Sequence, residues 1–120
     1  MDLTRASVAL CAEGTQAEFG GRLDEARGLY ARAWEVAGDD YDRTVAAHYV
    51  AHLESDPAEQ LRWNEFALQH ALCADAASVA PFMGSLYVNL GHSHELTGDP
   101  DKAAEFYELA AQHGVVHQPE

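Results

Sequence analysis

Histidine is the residue type in this sequence whose chemistry and spacing are most unusual. Seven histidines occur, and His48 and His52 stand four positions apart. On a helix both imidazoles would face one side and could bind a borderline metal ion such as zinc, provided that His92 or Glu95 supplied a third ligand. The competing interpretation is that local hydrogen bonds or solvent satisfy these imidazoles. His48 and His52 are therefore the candidate metal ligands, although no bound metal or cofactor is predicted.

A second arrangement joins His92 to Glu95, which would lie one helical turn apart. A carboxylate beside an imidazole favours its charged form and could support a pH-dependent grip on a ligand, or general acid–base chemistry on a bound substrate. A solvent-screened surface pair is the other interpretation. The sequence has no phosphate-binding glycine loop, dinucleotide-binding fingerprint or serine-hydrolase motif, so no enzymatic activity is predicted.

Acidic residues dominate the charge of the chain. Twenty Asp and Glu stand against seven Lys and Arg, which gives a formal net charge of -13. Nucleic acid and anionic membrane are excluded as partners because phosphate binding needs clustered positive charge. A cationic ligand, a basic protein segment or a metal ion fits this charge better.

The cysteine pattern and the hydropathy of the chain predict its compartment. Cys11 and Cys73 lie far apart and form no CxxC motif, which is typical of a reducing environment. No apolar run approaches the ~20 residues that a membrane-spanning helix needs, and the amino-terminal residues contain no export signal. We therefore expect a cytoplasmic protein.

An internal repeat organises the sequence. Five residues recur in fixed register 77 positions later: Gly14, Gly21, Ala26, Tyr30 and Ala33 match Gly91, Gly98, Ala103, Tyr107 and Ala110. A middle copy is located by Ala67, which lies 34 positions after Ala33 and 43 positions before Ala110. It departs from the other two by carrying His48 in place of glycine and Gln60 in place of alanine, with Trp63 and Phe66 supplying aromatic bulk near the tyrosine position.

The nine additional residues before the third copy are expected within residues 70–84, as an extended helix and a longer linker. Apolar periodicity predicts six helices near residues 3–19, 22–38, 41–54, 57–73, 79–97 and 100–113. Capping acids before prolines, Asp56-Pro57 and Asp99-Pro100, mark two helix starts. Gly21 and Gly98 mark two helix ends.

This pattern of small residues, glycine, tyrosine and alanine at a 34-residue period resembles the tetratricopeptide repeat (TPR) family over residues 7–117. The resemblance implies an all-α fold in which three antiparallel helix hairpins stack as a short right-handed solenoid. A single domain would cover residues 1–120, with repeats near 7–40, 41–83 and 84–117. In this family the first helices of successive hairpins line a concave groove that holds a ligand.

Carried onto this sequence, the resemblance implies that polar groove residues bind the ligand: Glu18, Tyr49, His52, His92 and Glu95. The set lacks the basic carboxylate clamp of chaperone-binding members. We therefore expect a non-enzymatic scaffold or regulator that binds a protein or peptide, most favourably a basic one. The alternative is a small-molecule or metal-binding accessory protein that uses the groove histidines.

The end of the sequence raises the question of a homodimer. A terminal solenoid unit normally carries a polar outer face, yet the last copy has apolar residues beyond the repeat positions: Phe106, Leu109, Val115 and Val116. These residues favour burial against a second copy of the chain. The alternative is that the valines fold back on the final hairpin.

Overall fold

The computed structural model describes residues 2–115, and the elements within this range are all helices. The six helices are α1 (Ala6–Phe19), α2 (Leu23–Glu35), α3 (Asp40–His52), α4 (Pro57–Cys73), α5 (Ala76–Leu96) and α6 (Pro100–Gln112). The all-α expectation and the number of helices are confirmed. No helix among the described residues is both long and apolar enough to cross a membrane.

Aspartate side chains cap the starts of the last four helices. Each accepts a hydrogen bond from a backbone N–H in the first turn, as this residue type does at helix N-termini. The caps are Asp39 on Asp42 N at 2.8 Å, Asp56 on Ala58 N at 3.4 Å, Asp75 on Ser78 N at 3.2 Å and Asp99 on Lys102 N at 3.1 Å. The starts predicted at Asp56-Pro57 and Asp99-Pro100 are confirmed.

Glycines in the left-handed region end the first helices of the outer hairpins. Gly21 has φ of 76° and Gly98 has φ of 86°. The turn at Gly21 lets Arg22 N donate to Ala17 O at 2.9 Å, and the turn at Gly98 lets Asp99 N donate to His94 O at 2.8 Å. The same closing hydrogen bond thus recurs at equivalent positions of the first and third copies. Both turns use glycine because the left-handed backbone conformation favours a residue without a β-carbon.

Consecutive helices pack in pairs. The most extensive contacts join α1 to α2, α3 to α4 and α5 to α6. Because only a few residues link the two members of a pair, the members must run antiparallel. The pairs also touch in chain order, through α2 with α3, α4 with α5, α1 with α3, and α3 with α5. The folded body measures 37 × 31 × 20 Å, with a radius of gyration of 14.0 Å.

The additional residues before the third repeat lie almost entirely within helices. α4 has 17 residues and α5 has 21, whereas the other helices have 13 or 14. The extended fourth helix is confirmed, but the longer linker is wrong, since only residues 74 and 75 separate α4 from α5. The predicted start at residue 79 is late because Asp75 caps Ser78 and begins the helix at Ala76, with Pro81 inside it.

The apolar residues of the last hairpin pack largely within that hairpin. Val115 lies directly on Gly84, where any β-carbon would collide with its side chain. Phe106 stacks on Tyr87 and His94, with ring centroids 6.2 and 5.3 Å apart. Two of the four residues that suggested a dimer are thus used within the hairpin. Leu109 is half-buried, and Val116 lies outside the described residues, so the homodimer stays a prediction.

Candidate functional site

A glycine faces a buried tyrosine in the first hairpin. A β-carbon on Gly14 would collide with the ring of Tyr30, so the glycine is needed for space. The Tyr30 hydroxyl donates to Glu18 Oε1 at 2.9 Å and lies 3.2 Å from the hydroxyl of Thr15. Burial, together with the bond to the Glu18 carboxylate, raises the pKa of Tyr30 to about 12. The tyrosine therefore fills the hairpin and holds a predicted groove carboxylate in place.

The third hairpin repeats this arrangement. A β-carbon on Gly91 would collide with the ring of Tyr107. Burial and the neighbouring Glu95 carboxylate raise the pKa of Tyr107 above its ordinary value. Glu95 is the repeat equivalent of Glu18, so two predicted groove carboxylates lie beside equivalent tyrosines, of which Tyr30 is fully buried and Tyr107 is half-buried.

The middle hairpin replaces both members of the glycine–tyrosine pair. His48 lies at the glycine position, and Asn64 lies one repeat period after Tyr30, at the tyrosine position. The aromatic bulk expected there from Trp63 and Phe66 lies elsewhere. Their rings surround Trp34, with centroid distances of 5.0 and 6.0 Å, because they point from other faces of α4 toward α2. That expectation was wrong.

This replacement accompanies a cavity of about 100 Å³ between α3, α4 and α5. Most of its lining is polar and able to form hydrogen bonds. The lining residues are His48, Ala51, His52, Gln60, Asn64, Asn89, His92 and Ser93. Three of them, His48, Gln60 and Asn64, occupy the repeat positions at which the flanking copies carry glycine, alanine and tyrosine. The polar cavity therefore coincides with the departures from the repeat.

The three amide side chains of the cavity point their nitrogens at protein partners. Asn64 Nδ2 donates to Ser93 Oγ at 2.9 Å, Asn89 Nδ2 donates to His48 Nδ1 at 3.3 Å, and Gln60 Nε2 lies 3.5 Å from Ala51 O. Each bond uses one of the two hydrogens of its amide nitrogen, and the three amide oxygens can serve as hydrogen-bond acceptors.

His48 is held in its neutral form. Its Nδ1 accepts the bond from Asn89, which puts the ring proton on Nε2. Burial lowers the pKa of His48 below its ordinary value of 6.5, and the nearby His52 lowers it further. The buried imidazole therefore adds no positive charge to the cavity at neutral pH.

Three of the five predicted groove residues form one contact chain across the first two hairpins. His52 Nε2 lies 2.8 Å from Glu18 Oε2, which joins α3 to α1. Tyr49 stacks on Tyr30 with ring centroids 5.1 Å apart. Glu18 and Tyr49 are half-buried, whereas His52 is exposed. The carboxylate, the phenol and the imidazole therefore support one another.

The other two predicted residues lie on the third hairpin. His92 is exposed, lines the same cavity as His52, and has its ring centroid 5.7 Å from that of Tyr107. Glu95 is also exposed and follows one helical turn later, beside Tyr107. The cavity thus lies between the two halves of the predicted groove.

The candidate metal ligands both line the cavity, but their ring nitrogens have different partners. His48 Nδ1 faces Asn89, and His52 Nε2 faces Glu18. In the part of the chain that the structure describes, no group of three or more His, Cys, Asp or Glu residues could hold a metal ion. A third metal ligand for this pair is therefore missing there.

A second cavity of about 100 Å³ also has His48 in its lining. Its lining is mainly apolar and comes from α3 and α5: Thr44, Val45, His48, Tyr49, Phe82, Ser85 and Leu86. His48 thus contributes to both the apolar cavity and the polar one.

Sequence reasoning missed four of the polar residues that line the polar cavity. Gln60 was noticed only as a departure from the repeat, and Asn64, Asn89 and Ser93 were not singled out. The signal for Asn64 was available, because the repeat register places it opposite His48. Asn89 and Ser93 belong to the next hairpin, and only the packing of α5 on α3 and α4 brings them to the cavity.

The sequence matches no known protein-family model, and no curated protein aligns with it significantly. The resemblance to TPR proteins therefore depends on the repeated residues of the chain itself. Function has to be argued from the contacts and charges of the site.

Proposed function

We propose that the chain is a short TPR-type solenoid that acts as a non-enzymatic interaction module. It holds a basic segment of a partner protein along the surface formed by α1, α3 and α5, as a scaffold or regulator. Support for the stacked arrangement comes from the contacts of α1 with α3 and of α3 with α5, together with the recurring glycine–tyrosine contacts. These are the features expected when equivalent hairpins pack in series.

The observation that carries the proposal is the pair of equivalent, tyrosine-held carboxylates. Glu18 is hydrogen-bonded to Tyr30 and to His52, and Glu95 interacts with Tyr107. A carboxylate that is already ordered loses little conformational entropy when it binds a cation. Two such carboxylates, one on each side of the polar cavity, favour a ligand that carries more than one positive charge.

The charge of the whole chain supports the same partner. A formal net charge of -13 attracts basic segments from a distance and speeds their association at low ionic strength. The apolar cavity beside His48 offers room for a nonpolar side chain of the same segment. A basic peptide with interspersed apolar residues therefore fits this surface better than a uniformly charged polymer.

Fluorescence polarisation with labelled twelve-residue peptides tests the proposal. We expect basic peptides to bind, acidic peptides of equal length not to bind, and the affinity to fall as salt is raised. Glu18→Gln and Glu95→Gln should each weaken binding about tenfold, since each removes a charge-assisted hydrogen bond. Glu108→Gln, on an exposed position of α6, is the matched control with the same loss of charge. Equal affinity for all three variants would refute the proposed surface.

The polar cavity also favours a second candidate function, a small-molecule or metal-binding accessory protein, because three histidines line it. Thermal melting with zinc, nickel or copper separates the two. Under the leading proposal these metals leave the midpoint of unfolding unchanged. A rise in the midpoint that disappears in His52→Ala would favour the accessory protein instead.

A further inference from the structure

We propose that the polar cavity of the middle hairpin is a guanidinium pocket, which receives an arginine side chain of the bound segment. The guanidinium pocket is the cavity lined by His48, Ala51, His52, Gln60, Asn64, Asn89, His92 and Ser93. The identity of the bound segment rests on the proposed function. The pocket itself can be tested with a small molecule.

Hydrogen-bond chemistry gives the first reason. The side-chain nitrogens of Gln60, Asn64 and Asn89 point at protein partners, which leaves three amide oxygens as acceptors. A guanidinium has five N–H donors and no acceptor. It therefore complements a site that offers three amide oxygens as acceptors and needs no acceptor of its own, whereas a carboxylate or phosphate could not donate to those oxygens.

Charge gives the second reason. The lining contains no Lys or Arg. Two carboxylates lie beside lining residues: Glu18 is hydrogen-bonded to His52, and Glu95 lies one helical turn beyond His92. These carboxylates offset part of the cost of moving a cation out of bulk water. They would repel an anion from the same opening.

Shape gives the third reason. A volume of about 100 Å³ is several times the ~10–15 Å³ that one water molecule requires, and it accommodates a small planar group. Imidazole rings line both walls, from His48 and His52 on α3 and from His92 on α5. A guanidinium stacks on aromatic rings and bonds through a rigid fork, whereas the ammonium of lysine is a compact, strongly hydrated charge. The pocket should therefore prefer arginine to lysine.

The flanking hairpins supply the design of the decisive variant. The double substitution His48→Gly with Asn64→Tyr rebuilds in the middle hairpin the pair that Gly14 and Tyr30 form in the first. It fills the pocket with a phenol ring and leaves Glu18 and Glu95 in place. Gln60→Ala, which introduces the alanine of the other two copies, is the milder second variant, and circular dichroism checks the folding of both.

The experiment titrates isotopically labelled protein with N-acetylarginine amide and follows backbone amide shifts by NMR. We expect saturable shifts in α3, α4 and α5 of the wild type. N-acetyllysine amide and N-acetylcitrulline amide should bind at least about tenfold more weakly. Gln60→Ala should bind the arginine probe more weakly, and the double substitution His48→Gly with Asn64→Tyr, the filled variant, should show no saturable shifts. Equal arginine binding by wild type and filled variant would overturn the pocket. Equal binding of the arginine and lysine probes would also overturn it.

These outcomes separate the pocket from the proposed function. Suppose that basic peptides bind wild type and filled variant with equal affinity, and that replacing arginine by lysine in the peptide leaves the affinity unchanged. The guanidinium pocket is then refuted, and the interaction module stands. If the arginine probe binds in the pocket but no basic peptide binds, the module fails and the pocket stands.

Discussion

In the first and third hairpins a tyrosine faces a glycine, whereas in the middle hairpin an asparagine faces a histidine. The flanking tyrosines fill the space between their helices; Tyr30 is hydrogen-bonded to Glu18, and Tyr107 interacts with Glu95. The middle pair fills less of that space, and a polar cavity lies beside it. One repeat position therefore has two uses: a large residue there orders a carboxylate, and a small polar residue there opens a site.

The comparison also accounts for the uneven chemistry of the repeat. The residue equivalent to Glu18 and Glu95 is His52, and α4 carries Asn64 where the other two copies carry the tyrosine. Its imidazole instead reaches Glu18 on the neighbouring hairpin at 2.8 Å. The middle hairpin thus links to its neighbours through polar contacts, and Asn64 does the same when it donates to Ser93 on α5.

We expect the largest difference in stability between the variants Tyr30→Ala and Asn64→Ala. Removing a fully buried aromatic ring leaves a cavity and should lower the free energy of unfolding by about 3–5 kcal/mol. Removing Asn64 loses one hydrogen bond beside an existing cavity and should cost about 1 kcal/mol. Urea denaturation measures both. Equal losses would mean that the middle hairpin is packed like the first.

Alanine at two helical glycines gives the next largest effect. Gly14→Ala pushes a methyl group into the Tyr30 ring and should destabilise the fold by about 1–3 kcal/mol. Gly28 has nothing within 4 Å of its would-be β-carbon, so Gly28→Ala should stabilise by about 0.5–1 kcal/mol through helix propensity. Thermal or urea unfolding should therefore show changes of opposite sign in the stability of the two variants. If Gly14→Ala stabilised the fold, the claim that Gly14 makes room for the Tyr30 ring would be wrong.

A smaller effect isolates the hydroxyl that holds Glu18. Tyr30→Phe keeps the ring but removes the donor and should cost about 1 kcal/mol of stability. It should also weaken the binding of a basic peptide, because Glu18 is then less well ordered. Tyr41→Phe is the control, since Tyr41 packs against Arg5 and Phe82 and makes no hydrogen bond through its hydroxyl within the described residues. Unchanged peptide affinity in Tyr30→Phe would count against the role of the tyrosine.

The smallest effect is a pH dependence from His48. Because the folded pKa of His48 lies below its ordinary value of 6.5, the unfolded chain binds this proton more readily than the folded one. His48 should leave stability unaffected above the unfolded pKa. It should then reduce the free energy of unfolding as pH falls from 6.5 through the lower folded pKa. Urea denaturation of wild type and His48→Gln from about pH 8 to about pH 5 measures this, and a constant difference between them would contradict it.

Local signals in the sequence predict most of the fold. Asp56 and Asp99 cap their helices, Gly21 and Gly98 end theirs, and the six helices occur close to the expected positions. These features depend on the preferences of one or two residues at a helix end, which the sequence displays directly. The predicted start of α5 is three residues late, because the Asp75 cap begins the helix at Ala76.

The site was predictable only in part. The resemblance to TPR proteins predicted Glu18, Tyr49, His52, His92 and Glu95 as groove residues, and the first three do make one chain of contacts. The polar cavity depends on how α4 packs on α5, and no local spacing in the sequence encodes that contact. The direction of each amide likewise depends on partners from another helix, as for Asn64 and Ser93.

A double-mutant cycle of His48→Gly and Asn64→Tyr tests the central claim most directly, because it asks whether the middle hairpin is the flanking hairpin with its facing pair exchanged. Urea denaturation of wild type, both single variants and the double variant gives the coupling between the two positions. We predict that Asn64→Tyr alone is strongly destabilising because its ring meets His48, and that His48→Gly restores stability with a favourable coupling of about 1–3 kcal/mol. Additive effects of the two substitutions would contradict the equivalence of the three hairpins.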